Sequence, residues 1–460
     1  NKAAQATVNI SSTLNSAAYT GSAFTAVPTL SATGGSGTGT YSYAIVSGGT
    51  AQGCNLSTTA ANATLTATSV GTCFIAATRA SDTNYLAGSS ANLAFTFTAT
   101  SQNITFTQPS AITYGATPAA LVATSTSNLT VAFTSATTSV CTVSGTTVTL
   151  VSSGTCTINA DQTGDSNYLA ATQVARSFTV SKATPVVASL NAVNKTYGDA
   201  AFTVTDPVVT GSIAGAFTYS SGTTSVATTS GASVTPLIAG TSVITALFTP
   251  TDTGKYNTAS VTFTLTVAAR ALAQPNAPNA IASAGVLKSL AVTWSAVTNA
   301  TGYTLKIYAL DGTTLLQTVT GLSGTSKTIT AADFSTISDN TAYKFALIAI
   351  GDSNNADSIA STLSSAVTTN KSYTISYNTN GSTGGSAPTN GSWITGASAS
   401  NISQNSGTLV RSGYTFAGWN TVADGSGTSY SNGASVTVYG NLTVYAKWTP
   451  VIPATPTAVT

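Results

Sequence analysis

The stretch SDTNYLAG at residues 81–88 recurs as GDSNYLAA at residues 164–171, and a looser copy, GKYNTAS, begins at Gly254. Upstream of these copies, three further matching pentapeptides begin with glycine: GTCFI at Gly71, GTCTI at Gly154 and GTSVI at Gly240. A sequence that resembles itself at a regular interval indicates a tandem array. We therefore predict three repeats, at residues 1–100, 101–182 and 183–270.

Within each repeat, short runs such as TVTLV, TCTINA and SFTVS alternate apolar with hydroxyl-bearing residues, and Gly, Ser and Asn separate the runs. Strict alternation is typical of strands with one buried face, and β-branched residues favour strands over helices. The chain contains no Glu and no Met, two residues that favour helices. The sequence predicts an all-β fold class, built as antiparallel β-sandwiches in series.

The three repeats resemble the bacterial immunoglobulin-like (Ig-like) repeats of large surface proteins, including a group with TYGD and GDxNY signatures. Tyr114-Gly115 in repeat 2 matches Tyr197-Gly198 in repeat 3. Repeat 1 is the least regular of the three, because it lacks this Tyr-Gly element. The resemblance implies a sandwich of two sheets for each repeat and a place at a cell surface.

The four cysteines are predicted to form two disulfides, Cys54–Cys73 and Cys141–Cys156. At the positions of the second pair, repeat 3 carries Ala227 and Ser242, so both thiols are lost together, as expected for bonded partners. Each bond should stabilise its repeat by roughly 3 kcal/mol by restricting the unfolded chain. Paired cysteines favour an oxidising, extracytoplasmic location. The alternative is two pairs of reduced thiols in the core; zinc is disfavoured because the chain has no His.

Residues 271–369 differ in composition and resemble a fibronectin type III domain. The similarity rests on LAVTW ending at Trp294, GYTLKIY beginning at Gly302, and TAYKFALIAI around Tyr343. The resemblance implies that Trp294 lies in the core and that Tyr343 forms a tyrosine corner, with its hydroxyl tied to the backbone. The loop at residues 351–357 corresponds to a frequent recognition loop of that family.

Residues 370–449 resemble the Listeria–Bacteroides repeat, a small β-grasp-like module of bacterial surface proteins. The matching segments are YTISYNTNG, RSGYTFAGWNT, DGSGTSY and NLTVYAKW. The resemblance implies a core formed by five aromatic residues: Tyr414, Phe416, Trp419, Tyr445 and Trp448. The insert at residues 382–407 is longer and richer in Gly and Ser than in the short form of the family, which argues against its usual helix.

The two ends of the chain are similar to its internal seams. Asn1-Lys2-Ala3-Ala4 is similar to Ser181-Lys182-Ala183-Thr184, and the ending PVIPATPTAVT is rich in proline, like the seam at residues 275–278. We expect the chain to be a section of a longer array. Residues 450–460 are then a linker or an exchanged strand.

Composition disfavours several classes of function. Charged residues make up 6% of the chain, against roughly 25% in typical globular proteins, and His is absent. Without His a Ser–His–Asp triad is impossible, and we predict that the chain is not an enzyme. The net charge of +2, without a basic run, does not favour nucleic acid. No stretch approaches 18 consecutive apolar residues, so we predict no membrane span.

Asp82, Asp161 and Asp165 are the candidates for a Ca²⁺ site in the loops near the repeated motif. Ca²⁺ requires six to eight oxygen ligands, and each loop offers two or three polar side chains. The alternative is an Asx turn, in which the carboxylate accepts hydrogen bonds from the backbone. We therefore expect no cofactor, with Ca²⁺ as the exception to test.

Two functions from different classes agree with these features. The first is a non-enzymatic, extracellular structural protein of a bacterial cell surface, which self-assembles into a surface layer, sheath or filament. The second is the stalk of a large adhesin that projects a binding tip. Low charge favours the first because little repulsion keeps copies apart; the family resemblances favour the second. The predicted partners are copies of the chain for the first function and a host or environmental surface ligand for the second.

Overall fold

Strands and turns form residues 1–452, the part of the chain that the computed structural model describes, and no helix occurs among them. The predicted all-β fold class is confirmed. Buried side chains gather in five separate clusters along the chain. We name the stretches that contribute these clusters modules 1 to 5.

The chain also divides into two compact units. Unit 1 comprises Asn1–Ala188, Pro207–Thr218 and Ala246–Val261. Unit 2 comprises Ser189–Asp206, Tyr219–Thr245 and the chain from Thr262 onward. The clusters of modules 1 and 2 lie in unit 1, and those of modules 3, 4 and 5 lie in unit 2.

Module 1 is a sandwich whose larger sheet has the strand order β2-β10-β8-β5 and whose smaller sheet has the order β3-β7-β6. Cys73, Ile75 and Ala77 of β8 are fully buried, so every second residue faces the core as strand geometry requires. The strands of this module are β1 (Val8–Ser12), β2 (Ser16–Ala18), β3 (Phe24–Ala26), β4 (Leu30–Gly34), β5 (Tyr41–Val46), β6 (Asn55–Leu56), β7 (Leu65–Ala67), β8 (Gly71–Arg79), β9 (Gly88–Ser89) and β10 (Leu93–Thr98).

Module 2 repeats this arrangement with the order β12-β18-β17-β14, and its β11–β13 ladder corresponds to the β1–β4 ladder of module 1. The two-stranded ladder β15–β16 stands where module 1 has its three-stranded sheet. Its strands are β11 (Ile104–Phe106), β12 (Ile112–Thr113), β13 (Ala123–Ser125), β14 (Ala132–Ser135), β15 (Cys141–Ser144), β16 (Thr147–Leu150), β17 (Gly154–Asp161) and β18 (Val174–Ser181).

Module 3 has the three-stranded sheet β20-β23-β22, and its short strand β19 runs parallel to β25. Modules 1 and 2 have the same feature, since β2 is parallel to β10 and β12 to β18. The strands of module 3 are β19 (Val193–Thr196), β20 (Phe202–Thr203), β21 (Gly215–Ser221), β22 (Ala227–Ser230), β23 (Ser233–Pro236), β24 (Gly240–Pro250) and β25 (Ala259–Ala268).

Module 4 consists of a three-stranded sheet, β27-β28-β31, and a four-stranded sheet, β30-β29-β32-β34. Trp294 and Tyr303 are buried with ring centroids 5.5 Å apart, and the Ser338 N–H donates to the Tyr343 hydroxyl at 3.0 Å. The tyrosine corner is therefore present. The strands are β26 (Arg270–Ala271), β27 (Asn279–Ala282), β28 (Leu290–Thr293), β29 (Gly302–Ala309), β30 (Leu315–Leu322), β31 (Ser326–Ile329), β32 (Ala342–Ile350), β33 (Asn355–Ala356) and β34 (Val367–Thr368).

Module 5 is a mixed sheet of order β36-β35-β41-β38-β39, in which β35 and β41 are parallel neighbours. The insert at residues 382–407 forms β36 and β37 and contains no helix. The strands are β35 (Ser372–Asn378), β36 (Gly391–Ile394), β37 (Ser400–Asn401), β38 (Tyr414–Asn420), β39 (Ser429–Tyr430), β40 (Ser435–Val436) and β41 (Leu442–Pro450). Of the segment 450–460, Pro450 ends β41, whereas residues 453–460 lie outside the described residues.

The core of module 5 differs in two residues from the expectation. Trp419 is fully buried, with Phe416 and Trp448 packed against the same cluster. Tyr445 lies outside that cluster because alternation along β41 turns its neighbours Val444 and Ala446 inward. Tyr414 is also outside it, at 37% exposure, and the Arg411 guanidinium lies 4.3 Å from its ring centroid.

Candidate functional site: the seams between modules

Both predicted disulfides are present. Cys54 is bonded to Cys73 and Cys141 to Cys156, with Cα–Cα distances of 5.8 and 5.7 Å. Cys141 lies in the β15–β16 ladder and Cys156 in the facing four-stranded sheet. The bond therefore ties together the two layers of the module across its core.

Asp82 organises the loop that carries the first copy of the repeated motif. Its Oδ1 accepts hydrogen bonds from the N–H groups of Asn84 and Tyr85, both at 2.9 Å, and its Oδ2 accepts from the N–H of Thr38. These donors, led by the Thr38 backbone, favour the charged carboxylate and lower the pKa of Asp82 to about 2. Asp82 is thus the acceptor of an Asx turn.

Asp165 forms the same turn in module 2. Its Oδ1 accepts from the N–H groups of Asn167 at 2.7 Å and Tyr168 at 2.9 Å. Asp161 lies at the end of β17, where its Oδ1 accepts from the Gln173 amide at 2.7 Å. Within residues 1–452, no group of three or more His, Cys, Asp or Glu side chains is placed to hold a metal ion. The expectation of no cofactor, with Ca²⁺ as the exception to test, stays a prediction.

The Asx turn shapes a loop that holds the chain segment entering the same module. Ala3 lies parallel to Tyr85; its N–H donates to the Asn84 carbonyl, and its carbonyl accepts from the Leu86 N–H, both at 2.8 Å. We call this pair of hydrogen bonds a clasp. The clasp recurs in modules 2 and 3, where Thr100 pairs with Asn167 and Leu169, and Ala183 with Lys255 and Asn257.

Module 4 carries a fourth clasp, in the loop at residues 351–357. Asp352 Oδ1 accepts from the N–H groups of Asn354 at 2.8 Å and Asn355 at 2.7 Å. The Arg270 N–H donates to the Asn354 carbonyl at 2.9 Å, and β26 runs parallel to β33. The loop that resembles a recognition loop therefore holds the entering chain. Sequence reasoning missed this copy, although Gly-Asp-Ser-Asn at 351–354 is identical to 164–167.

A tyrosine of one module contacts the clasp of the next. The rings of Tyr19 and Tyr168 meet edge to face at 5.3 Å, and those of Tyr114 and Tyr256 at 5.7 Å. Such ring pairs stabilise a contact by roughly 0.5–1.5 kcal/mol beyond the stabilisation that comes from burying their surface. The seams between modules 1, 2 and 3 are thus fastened by side chains as well as by the chain itself.

Repeat 1 lacks the Tyr-Gly dipeptide, but Tyr19 occupies the place of the tyrosine in the fold. Its N–H donates to the carbonyl of Thr98 in the last strand, as the N–H of Tyr114 donates to Ser181 in module 2. Thr20 separates Tyr19 from Gly21, so the dipeptide is interrupted in sequence although the tyrosine keeps its place.

Further polar contacts reinforce the seams. Between modules 2 and 3, the Gly254 carbonyl accepts from the Ser153 N–H at 3.1 Å and the Ser152 hydroxyl at 3.2 Å. Beside it, Lys255 and Asp252 form an ion pair at 2.9 Å, and the lysine side chain, as its main hydrogen-bond donor, lowers the pKa of Asp252.

The seam between modules 4 and 5 depends on a buried amide. Asn370 is 6% exposed, and its Nδ2 donates to the carbonyls of Ser283 at 2.5 Å and Val286 at 3.0 Å. Its Oδ1 accepts from the Thr395 hydroxyl at 3.0 Å. A buried amide with both ends satisfied restricts the geometry of the groups around it.

Comparison with known proteins identifies one segment. Residues 373–447 match the model of the Listeria-Bacteroides repeat domain family, in agreement with the resemblance of module 5. No curated protein matches the chain. No helix long and apolar enough to cross a membrane occurs in the described part of the chain.

Three solved structures are similar to this chain. Drosophila N-cadherin EC1-3 is 12% identical (TM-score 0.21), covering 50% of this chain and 90% of its own. Drosophila N-cadherin EC1-4 is 10% identical (TM-score 0.21), and the match covers 73% of this chain and 93% of the N-cadherin chain. The FN1-FN3 domains of chicken CNTN1 are 10% identical (TM-score 0.20), covering 57% and 99%.

Proposed function

We propose that this chain is a non-enzymatic, extracellular structural protein of a bacterial cell surface, and that its copies assemble through their sheet edges into a surface layer, sheath or filament. Two disulfides support an oxidising location. The Listeria-Bacteroides repeat supports a surface protein. The observation that carries the proposal is the chemistry of the edge strands.

The edge strand β30 of module 4 is long, uncharged and partly apolar. It runs for eight residues as LLQTVTGL, and Leu315 and Leu316 are 48% and 39% exposed. Soluble proteins usually protect such edges with charges, proline or a covering segment, because unpaired N–H and C=O groups recruit other strands. The edge strands β5 (YSYAIV) and β14 (AFTS) are also free of charged residues.

On the other side of the same sheet, a segment of the chain covers part of strand β32. Three serines, spaced three apart, lie against β32, and each exchanges two hydrogen bonds with one residue of that strand. The pairs are Ser358 with Ala349, Ser361 with Leu347 and Ser364 with Phe345, at 2.8 to 3.0 Å. The serine hydroxyls accept from the N–H groups of β32, and the serine N–H groups donate to its carbonyls. No segment within residues 1–452 covers β30 in this way.

Sedimentation velocity and negative-stain electron microscopy of the oxidised 460-residue chain, at rising micromolar concentration, test the proposal. We expect association with concentration and ordered filaments or sheets. The double variant Thr318→Lys/Thr320→Lys places two charges on exposed positions of β30 and should abolish contacts through this edge.

The matched control is Thr362→Lys/Ser365→Lys, which adds the same two charges at exposed positions of the covering segment. It should assemble like the unmodified chain. A chain that stays monomeric at every concentration would contradict assembly. Equal loss of assembly in both double variants would attribute the effect to net charge instead of the β30 edge.

The second candidate is the stalk of a large adhesin, which the seams favour. Clasps at the entries of modules 1 to 4 and ring contacts between modules 1, 2 and 3 are suited to transmit force along a chain. A stalk predicts a monomer in the same sedimentation experiment, and adhesion to a host or environmental surface only when further domains of the parent protein are attached.

A further inference from the structure

Module 2 lacks a strand that its two sister modules possess. Five residues after Tyr19 and Tyr197, modules 1 and 3 carry Phe24 and Phe202, which open β3 and β20. Phe24 pairs with Ala67, and Phe202 with Val234. Module 2 has Ala119 at this position, and residues 118–122 form no strand.

A cavity of about 320 Å³ lies where the missing phenyl ring would sit. Its apolar lining includes Pro109, Ile112, Leu121, Val148 and Phe178, with Ala119 at its side. No charged residue lines it. A volume of this size is within the range of small ligand pockets, and its lining suits an uncharged apolar group.

The groove continues along the outer edge of β16. A second cavity, about 240 Å³ in volume, is lined by residues 114–118 and by Val148, Thr149 and Leu150. Pro118, which borders both cavities, has no N–H to donate to a ladder. Residues 118–122 of the same module meet this edge through one hydrogen bond, from the Leu121 N–H to the Thr146 carbonyl at 2.9 Å. The edge at Val148 therefore lacks the strand that modules 1 and 3 place there.

We propose that this groove binds an extended segment of a different protein, not of a second copy of this chain. The segment adds to β16 as an antiparallel strand and inserts a phenylalanine side chain beside Ala119. Module 3 defines the occupant, because Val148 occupies the ladder position at which Val234 pairs with Phe202. In module 1 the phenylalanine pairs two residues further along the corresponding strand, Phe24 with Ala67. Small residues flank the phenylalanine in the sister strands, Ala-Phe-Thr in both. Backbone pairing supplies affinity in such strand addition, and the side-chain pocket supplies specificity.

The probe is a fluorescent peptide, Ala-Ala-Phe-Thr-Val, with the sequence of residues 200–204. It is titrated with the oxidised full chain and followed by fluorescence anisotropy. We expect saturable binding, which Ala119→Phe should weaken at least tenfold because the new ring fills the cavity. The matched control Ala132→Phe, at an exposed position of β14, should bind like the unmodified chain. The peptide with Ala in place of Phe should not bind.

Photo-crosslinking provides a readout that does not depend on how the variant folds. A peptide carrying benzoylphenylalanine instead of Phe should attach to residues 107–122 or 147–150. Absence of saturable binding, equal affinity for Ala119→Phe, or attachment elsewhere would each overturn the proposal. Loss of self-association in Ala119→Phe without peptide would identify a second copy as the occupant and also overturn it. Assembly through β30 is measured separately, so the two proposals can fail independently.

Discussion

Module 3 offers a direct test of how the disulfides stabilise their modules. Ala227 and Ser242 occupy the positions of Cys141 and Cys156, and both are buried, at 0% and 1% exposure. Ala227 pairs with Pro236 as Cys141 pairs with Leu150, so the two hairpins have the same register. We expect the double variant Ala227→Cys/Ser242→Cys to form a third disulfide in oxidising buffer.

The contacts of Ser242 reduce the gain in the free energy of unfolding that the third disulfide brings. A bond between residues 15 apart, the separation of Cys141 and Cys156, stabilises by about 3 kcal/mol through the unfolded chain. The Ser242 hydroxyl interacts with the Ser221 hydroxyl at 2.8 Å and accepts from the Thr223 N–H at 3.0 Å. In module 2 the Ser135 hydroxyl accepts the corresponding N–H, so Ser221 can do the same. One lost hydrogen bond costs about 1 kcal/mol and leaves a gain of about 2 kcal/mol.

Hydrogen exchange measured by mass spectrometry on the full chain reports each module separately. A gain of about 2 kcal/mol should slow exchange of the most protected amides of β22 and β23 roughly 30-fold. Modules 4 and 5 serve as the internal control. The reduced and alkylated double variant should show no gain. If the bond forms and exchange in module 3 is unchanged or faster, restriction of the unfolded chain does not explain how these disulfides stabilise their modules.

Three further predictions concern single contacts. Tyr343→Phe removes the acceptor of the Ser338 N–H and should destabilise module 4 by about 1 kcal/mol, seen as faster exchange in β32. Tyr114→Ala removes the ring contact with Tyr256 and should speed exchange in that clasp, with module 5 unaffected. The pKa of Asp82 is about 2 in the folded chain against 3.8 for the free group. The contribution of Asp82 to the stability of the folded chain is therefore complete above about pH 4 and is lost as pH falls toward 2. Limited proteolysis near the N-terminus should show this loss, and Asp82→Asn should remove the pH dependence.

Several features could be predicted because they depend on residues close together in sequence. Alternation in TCTINA is sufficient to predict that Cys156, Ile158 and Ala160 face one core, since strand side chains alternate with period two. The paired loss of thiols at Ala227 and Ser242 identified the disulfide partners. The aromatic pattern of module 5 identified its family, although alternation turned Tyr445 away from the core.

Other features depend on contacts between distant residues, which no local pattern contains. The sequence by itself determined the all-β class, the repeats and the two disulfides. Only the tertiary structure decided that Tyr19 meets Tyr168, that the loop at 351–357 is a clasp, and that Ala119 leaves a groove beside β16. The physical reason is that strand alternation is local, whereas ring contacts and cavities depend on where separate strands bring their side chains together.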